Sequence, residues 1–208
     1  VAGGDAASDR ATQASIEHQL ADVHHRLGDW DLAEAHLAVV TELVAGAEPG
    51  RQAQVEADRA VVAYRRGDTE QAAAFGRSAL ASARVAADPG ATAKALNVLG
   101  MLAARAGDAA AAESYLRDSL AEARRPVSGP GPRSEGAGPR SEGAAPQSEG
   151  TGQRHEGSGQ AAAPPLGAAV AALNNLARLL ADTGRGEEAL AVAAEALDLG
   201  SELGDQHR

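Results

Sequence analysis

The stretch NNLARLLADTGRGEEALAVAAEAL, Asn174 to Leu197, reads as two helical patterns joined by a Gly-polar turn at Gly184-Arg185. The same arrangement appears when glycines are aligned outward from it. Gly50, Gly90 and Gly167 each lie 17 residues before a second glycine, namely Gly67, Gly107 and Gly184, and Gly67-Asp68 and Gly107-Asp108 repeat the turn. Gly28-Asp29 adds a turn one period earlier. The turns are 39, 40 and 77 residues apart, and a fixed period of this size marks a stack of helical hairpins. Pro49-Gly50 and Pro89-Gly90 mark the joints, where proline is expected to stop a helix. The expected pairs are 12–27 with 30–46, 51–66 with 69–87, 91–106 with 109–125, and 167–183 with 186–200.

Composition supports only helix. Of the 208 residues 44% are apolar and 2% aromatic, and 52 are alanine, so more than half of the apolar content is a methyl group. Alanine has the highest helix propensity, and the β-branched and aromatic residues that favour strands are sparse. The fold class is therefore all-α, a solenoid of antiparallel hairpins with no β-sheet. A methyl-rich core must be built from close helix contacts, and a repeat stack avoids the need for one large core.

The gap of 77 residues exceeds one period because of a segment at 126–166 crowded with Gly, Pro, Ser and Glu. It includes the units GPRSEGA, GPRSEGA, APQSEGT and GQRHEGS from Gly131 to Ser158. With nothing to bury, this insertion is expected to be disordered. It leaves repeats 1–3 at 11–125, a fourth at 167–203, a flexible segment at 1–10, and a tail or start of a missing repeat at 204–208. Lengthening a joint to this extent is about three doublings of loop length and costs about 2 kcal/mol of closure entropy, so hairpin four can still dock on hairpin three. The valine start and the uncapped last helix suggest a fragment of a longer protein, with self-association through the open terminal repeat as one outcome.

The residues resemble the tetratricopeptide repeat, in which small residues in the first helix, just after the turn and late in the second helix let the helices approach. Leu176-Ala177, Gly184, Ala189 and Ala196-Leu197 fit that pattern in hairpin four, as do Leu99-Gly100, Gly107, Ala112 and Leu120 in hairpin three. Hairpin one offers Leu20-Ala21, Gly28 and Ala33. Hairpin two departs at Arg59, where leucine is expected, which predicts a rotated or loosely packed first helix. The period near 40 with LNVL and LNNL is similar to the longer repeats of kinesin light chains and of arrays in actinobacterial regulators, signalling ATPases and cyclases. The resemblance implies a protein- or peptide-binding scaffold whose first helices line an inner groove.

Mapped by repeat register, that groove takes His18, Asp22, His25, Arg26, Tyr64, Arg65, Lys94, Asn97, Met101, Arg105, Asn174, Asn175 and Arg178. Asn97 and Asn174 are equivalent positions, and an amide that both donates and accepts suits the backbone of an extended peptide. The competing role for them is a hydrogen bond between repeats. Asp58 and Val98 stand where the carboxylate clamp of chaperone-binding members would need an amide and a base, so that activity is not expected. Trp30, Tyr64, Phe75 and Tyr115 are read as core filling between helices.

Other chemistries find little support. Glu17, His18, Asp22, His24 and His25 hold ligand-type side chains, but His18 and His25 are two turns, about 10 Å, apart along one helix. GRGEEA has the glycine spacing of a dinucleotide fingerprint without the strand that must precede it. There is no GxxxxGK, GxSxG or HExxH, and no cysteine. No enzyme activity, cofactor or metal is expected. The formal charge of −10 opposes nucleic-acid binding, and no apolar run is long enough to span a bilayer, so a cytoplasmic chain is expected.

Overall fold

The computed structural model describes residues 2–46, 49–125 and 166–205, and the side chains of 8–46, 49–125 and 166–202. Among these the chain is helical, with no strand. Its helices are α1 Ala2–Leu27, α2 Trp30–Leu43, α3 Pro49–Arg66, α4 Thr69–Ala86, α5 Pro89–Arg105, α6 Ala109–Ala123, α7 Leu166–Asp182 and α8 Gly186–Asp205. Successive pairs form hairpins, and each second helix also packs on the first helix of the next hairpin. First helices adjoin as well, α3 against α5 and α5 against α7.

The turns have one local cause. Gly28, Gly67, Gly107 and Gly184 have φ between 80° and 83°, a region that L side chains avoid. At Gly67 the backbone N–H of Asp68 donates to Ala63 O (2.9 Å) and that of Gly67 to Tyr64 O (3.0 Å), which satisfies carbonyls left over at the end of α3. Asp68 then caps α4 by accepting from the Gln71 N–H at 3.0 Å, and Asp108 caps α6 in the same way. At these two turns the Gly-Asp pair thus ends one helix and starts the next.

The joint before hairpin three is built differently from expectation. The stop at the end of α4 is Ala87, held at φ 52°, with the Asp88 N–H donating to Ala83 O at 2.9 Å. Pro89 opens α5 in the first turn, where the N–H it lacks has no helical partner, and Asp88 caps that turn through the Ala91 N–H. Pro49 likewise begins α3. The prolines start helices here and do not end them.

Packing is close because the contact residues are small. Ala53, Ala57, Ala79, Ala83, Ala91 and Ala95 form one buried cluster between hairpins two and three. A Cβ added to Gly100 would lie 2.8 Å from Leu116 Cγ and 3.3 Å from the Ala112 carbonyl, so α5 meets α6 almost backbone to side chain. Hairpin four docks on hairpin three: Leu176, Leu179 and Leu180 share a buried cluster with Ala112 and Leu116. Arg185 crosses to Glu113 at 2.7 Å, and Arg124 pairs with Glu195.

Three boundaries differ from the sequence reading. Helix α1 begins at Ala2, inside the segment expected to be flexible, and Leu166, placed in the insertion, is the first residue of α7. Helix α8 runs on to Asp205, into the segment read as a tail. The insertion itself lies at 126–165, outside the described residues. Arg59 is the larger correction, because α3 is firmly packed. Its guanidinium donates to Glu34 Oε1 (2.5 and 3.0 Å) on α2 and stacks 4.2 Å from the centre of the Phe75 ring on α4, joining three helices where other hairpins use leucine.

Candidate functional site: a polar groove on the first helices

Side chains of α1, α3, α5 and α7 line a cavity of about 1150 Å³ on the face formed by the first helices. Helix α1 stands off α3 more than α3 stands off α5, so the cavity deepens there to Leu37, Val40 and Val44 of α2 and Val55 and Val62 of α3. The floor is apolar and the rim is charged.

A three-residue chain of hydrogen bonds crosses the cleft. His18 Nε2–H on α1 donates to Asp58 Oδ2 at 2.8 Å, and Lys94 Nζ on α5 reaches Asp58 Oδ1 at 2.6 Å. Burial on its own would raise the Asp58 pKa, but the Lys94 charge and the hydrogen bonds from His18 and Lys94 outweigh it and hold the carboxyl below its usual value. Lys94 shows the converse: burial disfavours its charge, and Asp58 more than compensates, raising the ammonium pKa. Next to this chain, burial and the nearby Arg65 keep the His25 imidazole below its ordinary pKa, against the opposing pull of Asp22 and Asp58. Arg26 is tied to Asp22 at 2.6 Å. Arg51 and Arg65, both exposed on the rim, have no ion-pair partner among the described residues.

Of the residues mapped to the groove, His18, Asp22, His25, Arg26, Arg65, Lys94, Asn97, Met101, Asn174 and Asn175 line the cavity. Tyr64, Arg105 and Arg178 do not. Tyr64, half-buried, packs with Phe75 against Ala60, Ala63, Val98 and Met101, so its role is core filling. Arg105 and Arg178 are exposed away from the cavity. The asparagines divide: Asn97 is buried and its Oδ1 accepts from Asn175 Nδ2 at 3.0 Å, a bond between hairpins three and four, whereas Asn174 is exposed.

Asp58 at the centre of the cleft was missed as a lining residue. Its signal was present, since Asp58 lies nine residues before Gly67 just as Asn175 lies nine before Gly184. The remaining histidines of hairpin one are structural. His24 stacks on His36 with centroids 5.3 Å apart, and His36 Nδ1–H donates to Glu17 at 2.6 Å. Among the described residues no three His, Asp or Glu side chains gather as a metal site, and no helix is long and apolar enough to cross a membrane.

Family models of the tetratricopeptide repeat match residues 12–84, and 92–125 with 170–208. The chain belongs to the tetratricopeptide repeat family. Repeats of this family generally mediate contacts between proteins, through the concave and convex faces that a solenoid offers. Among solved structures, the tetratricopeptide array shares its fold with BtubC (BKLC) from P. vanneervenii, at a TM-score of 0.57 and 18% identity. That match covers 92% of this chain, which spans 64% of the other protein's length. No curated protein gives a significant match to the sequence.

Proposed function

We propose that the array is a non-catalytic module that holds a segment of another protein in the cleft between α1, α3 and α5. The observation that carries this reading is the form of the cleft: at about 1150 Å³ it exceeds the roughly 300–1,000 Å³ usual for small-molecule sites, and it has an apolar floor beneath a charged rim. The acidic groups of the rim are already engaged, Asp22 by Arg26 and Asp58 by His18 and Lys94. Arg51 and Arg65 retain charge for an occupant. An extended segment with an apolar side chain for Val40, Val44 and Val55 and a carboxylate for the arginines fits this arrangement. On the sequence resemblance, the module serves as the sensory or scaffold section of a larger cytoplasmic regulator in bacteria, with a signalling ATPase or cyclase as the alternative parent.

Fluorescence anisotropy with short peptides tests this: one acidic and apolar, one neutral and apolar, one basic. The acidic peptide binds best, and binding weakens with salt because the rim is exposed and the Debye length is only about 10 Å at 0.1 M. Arg51→Glu with Arg65→Glu lowers its affinity by about tenfold or more while circular dichroism stays helical. Equal binding to the double variant, or no binding by any peptide, favours the competing reading, a spacer or self-associating array with an empty groove.

A further inference from the structure

Helix α3 turns a single stripe of side chains toward the cleft. Arg51, Asp58 and Arg65 follow one another at intervals of seven residues, with Val55 in the first interval and Val62 in the second. At about 100° per residue these five positions fall within an arc of about 80°, and all five line the cavity. The valines belong to its floor, 3% and 2% exposed, in one buried cluster with Leu37, Val40 and Val44. The stripe is peculiar to this helix. At the distance of Arg51 from its turn glycine, the other first helices hold Thr12, Ala91 and Ala168.

The charge at the middle of the stripe is paired and the charges at its ends are not. Asp58 is held by His18 from α1 and Lys94 from α5. Asp22, the other carboxylate among the lining residues, is engaged by Arg26. Arg51 and Arg65 are thus left as two separate anchors for negative charge, with apolar surface on either side of the bridge between them.

Their separation selects the form of an occupant. Fourteen residues of helix place the two arginines about 21 Å apart. An extended chain rises about 3.3 Å per residue and turns alternate side chains to one face, so its first and seventh residues share a face about 20 Å apart. The third and fifth residues lie on that face as well, about 7 and 13 Å along, where Val55 and Val62 stand about 6 and 16.5 Å from Arg51 along α3. Size agrees with this. An extended segment 20 Å long, with the 4.8 and 10 Å spacings of packed strands, occupies about 960 Å³, whereas a helix of that length and 11 Å across occupies about 1,900 Å³. The cavity holds about 1150 Å³.

We propose that the occupant of the cleft is an extended segment lying along α3, with two carboxylates six residues apart, one on Arg51 and one on Arg65, and apolar side chains between them over Val55 and Val62. This rests on the reading of the cleft as a site for a protein segment, and adds the conformation and the spacing that the segment must have. Its backbone passes over the bridge of His18, Asp58 and Lys94.

Fluorescence anisotropy at low salt tests it, with the full chain and labelled peptides whose ends are capped so that they add no charge. The parent peptide has glutamate as its first and seventh residues, valine as its third and fifth, and serine elsewhere. A second peptide of the same composition exchanges the last two residues, which turns one glutamate to the opposite face, and binds about threefold more weakly, the loss of one exposed ion pair. Of the variants Arg51→Ala and Arg65→Ala, one abolishes that difference and the other preserves it, because each arginine holds one end; circular dichroism confirms that both remain helical. A helical peptide with glutamate as its first and fifteenth residues, the spacing a helix needs to reach both arginines, binds more weakly than the parent. Equal affinity for the two seven-residue peptides, or a difference that survives in both variants, overturns the proposal and leaves the peptide reading of the cleft standing. Tightest binding by the helical peptide also overturns it. Binding by none of the three overturns both.

Discussion

Hairpins one and four follow the same template and use it for different ends. Around hairpin four the junction has an apolar centre, where Leu176, Leu179 and Leu180 close on Ala112 and Leu116, and within hairpin three α5 approaches α6 at Gly100 so nearly that a methyl group has no room. Around hairpin one the junction is polar, with Arg59 clamped by Glu34 and Phe75, and His18 bridging to Asp58 over an open cleft. A repeat needs only its turn and its small contact residues to stack. The other positions are free to become either core or groove.

The largest effect that would sharpen this contrast belongs to the apolar centre of the hairpin-four junction. Leu116→Ala removes a fully buried side chain and costs about 2–5 kcal/mol in chemical denaturation, because the surrounding helices relax only in part. A cost below that of an exposed leucine would show that hairpin four docks more loosely than its cluster implies. Gly100→Ala is next. Overpacking against Leu116 and the Ala112 carbonyl costs about 1–3 kcal/mol, although alanine is the better helix former.

At the polar junction the effects are smaller and depend on pairing. Glu34→Ala leaves Arg59 half-buried without its carboxylate and costs about 1–2 kcal/mol by thermal melting. Combining it with Arg59→Leu, the residue that Leu99 and Leu176 supply at this position, returns stability to near the wild-type level. A double variant as unstable as the single one would mean that Arg59 acts through Phe75 rather than through Glu34.

The smallest expected effect is on pH. The folded His25 pKa lies below the ordinary 6.5, so the unfolded chain takes up this proton first as pH falls. The stability that comes from keeping His25 neutral is fully present above 6.5 and is lost as pH drops toward the folded value. Asp58 behaves likewise at lower pH, its contribution vanishing as pH falls from about 3.8 through its lowered folded value. Lys94, raised by the same pair, contributes below 10.5 and loses that contribution as pH rises through its folded value. Melting curves of the wild type and His25→Phe, followed downward from neutral pH, should diverge below 6.5, with the wild type losing more.

Much of this was legible in the primary structure. The glycine register alone located all four hairpins, because a residue at φ near 83° is something the chain can supply cheaply only with glycine. Ten of the thirteen residues it mapped to the groove lie on the cavity wall, since positions equally distant from a turn glycine recur on the same helix face. The register did not separate Tyr64 from His25, both three residues before their turns, because that position lies between groove and core and the side chain selects its neighbours. It also left open whether Asn97 faces a ligand or another repeat. That depended on Asn175 arriving from 78 residues away, at a distance set by how hairpin four docks.

The sequence by itself therefore determined where the hairpin turns fall, which residues are small enough for close packing, and that the chain would stack. Those outcomes rest on backbone conformation and side-chain size, which act within a few residues. Only the tertiary structure decided what the polar residues do. Arg59 as a three-helix clamp, Asp58 as the centre of a hydrogen-bonded chain, and the apolar floor between α1 and α3 all arise between side chains on different helices, and their energies depend on distance and burial that no local pattern encodes.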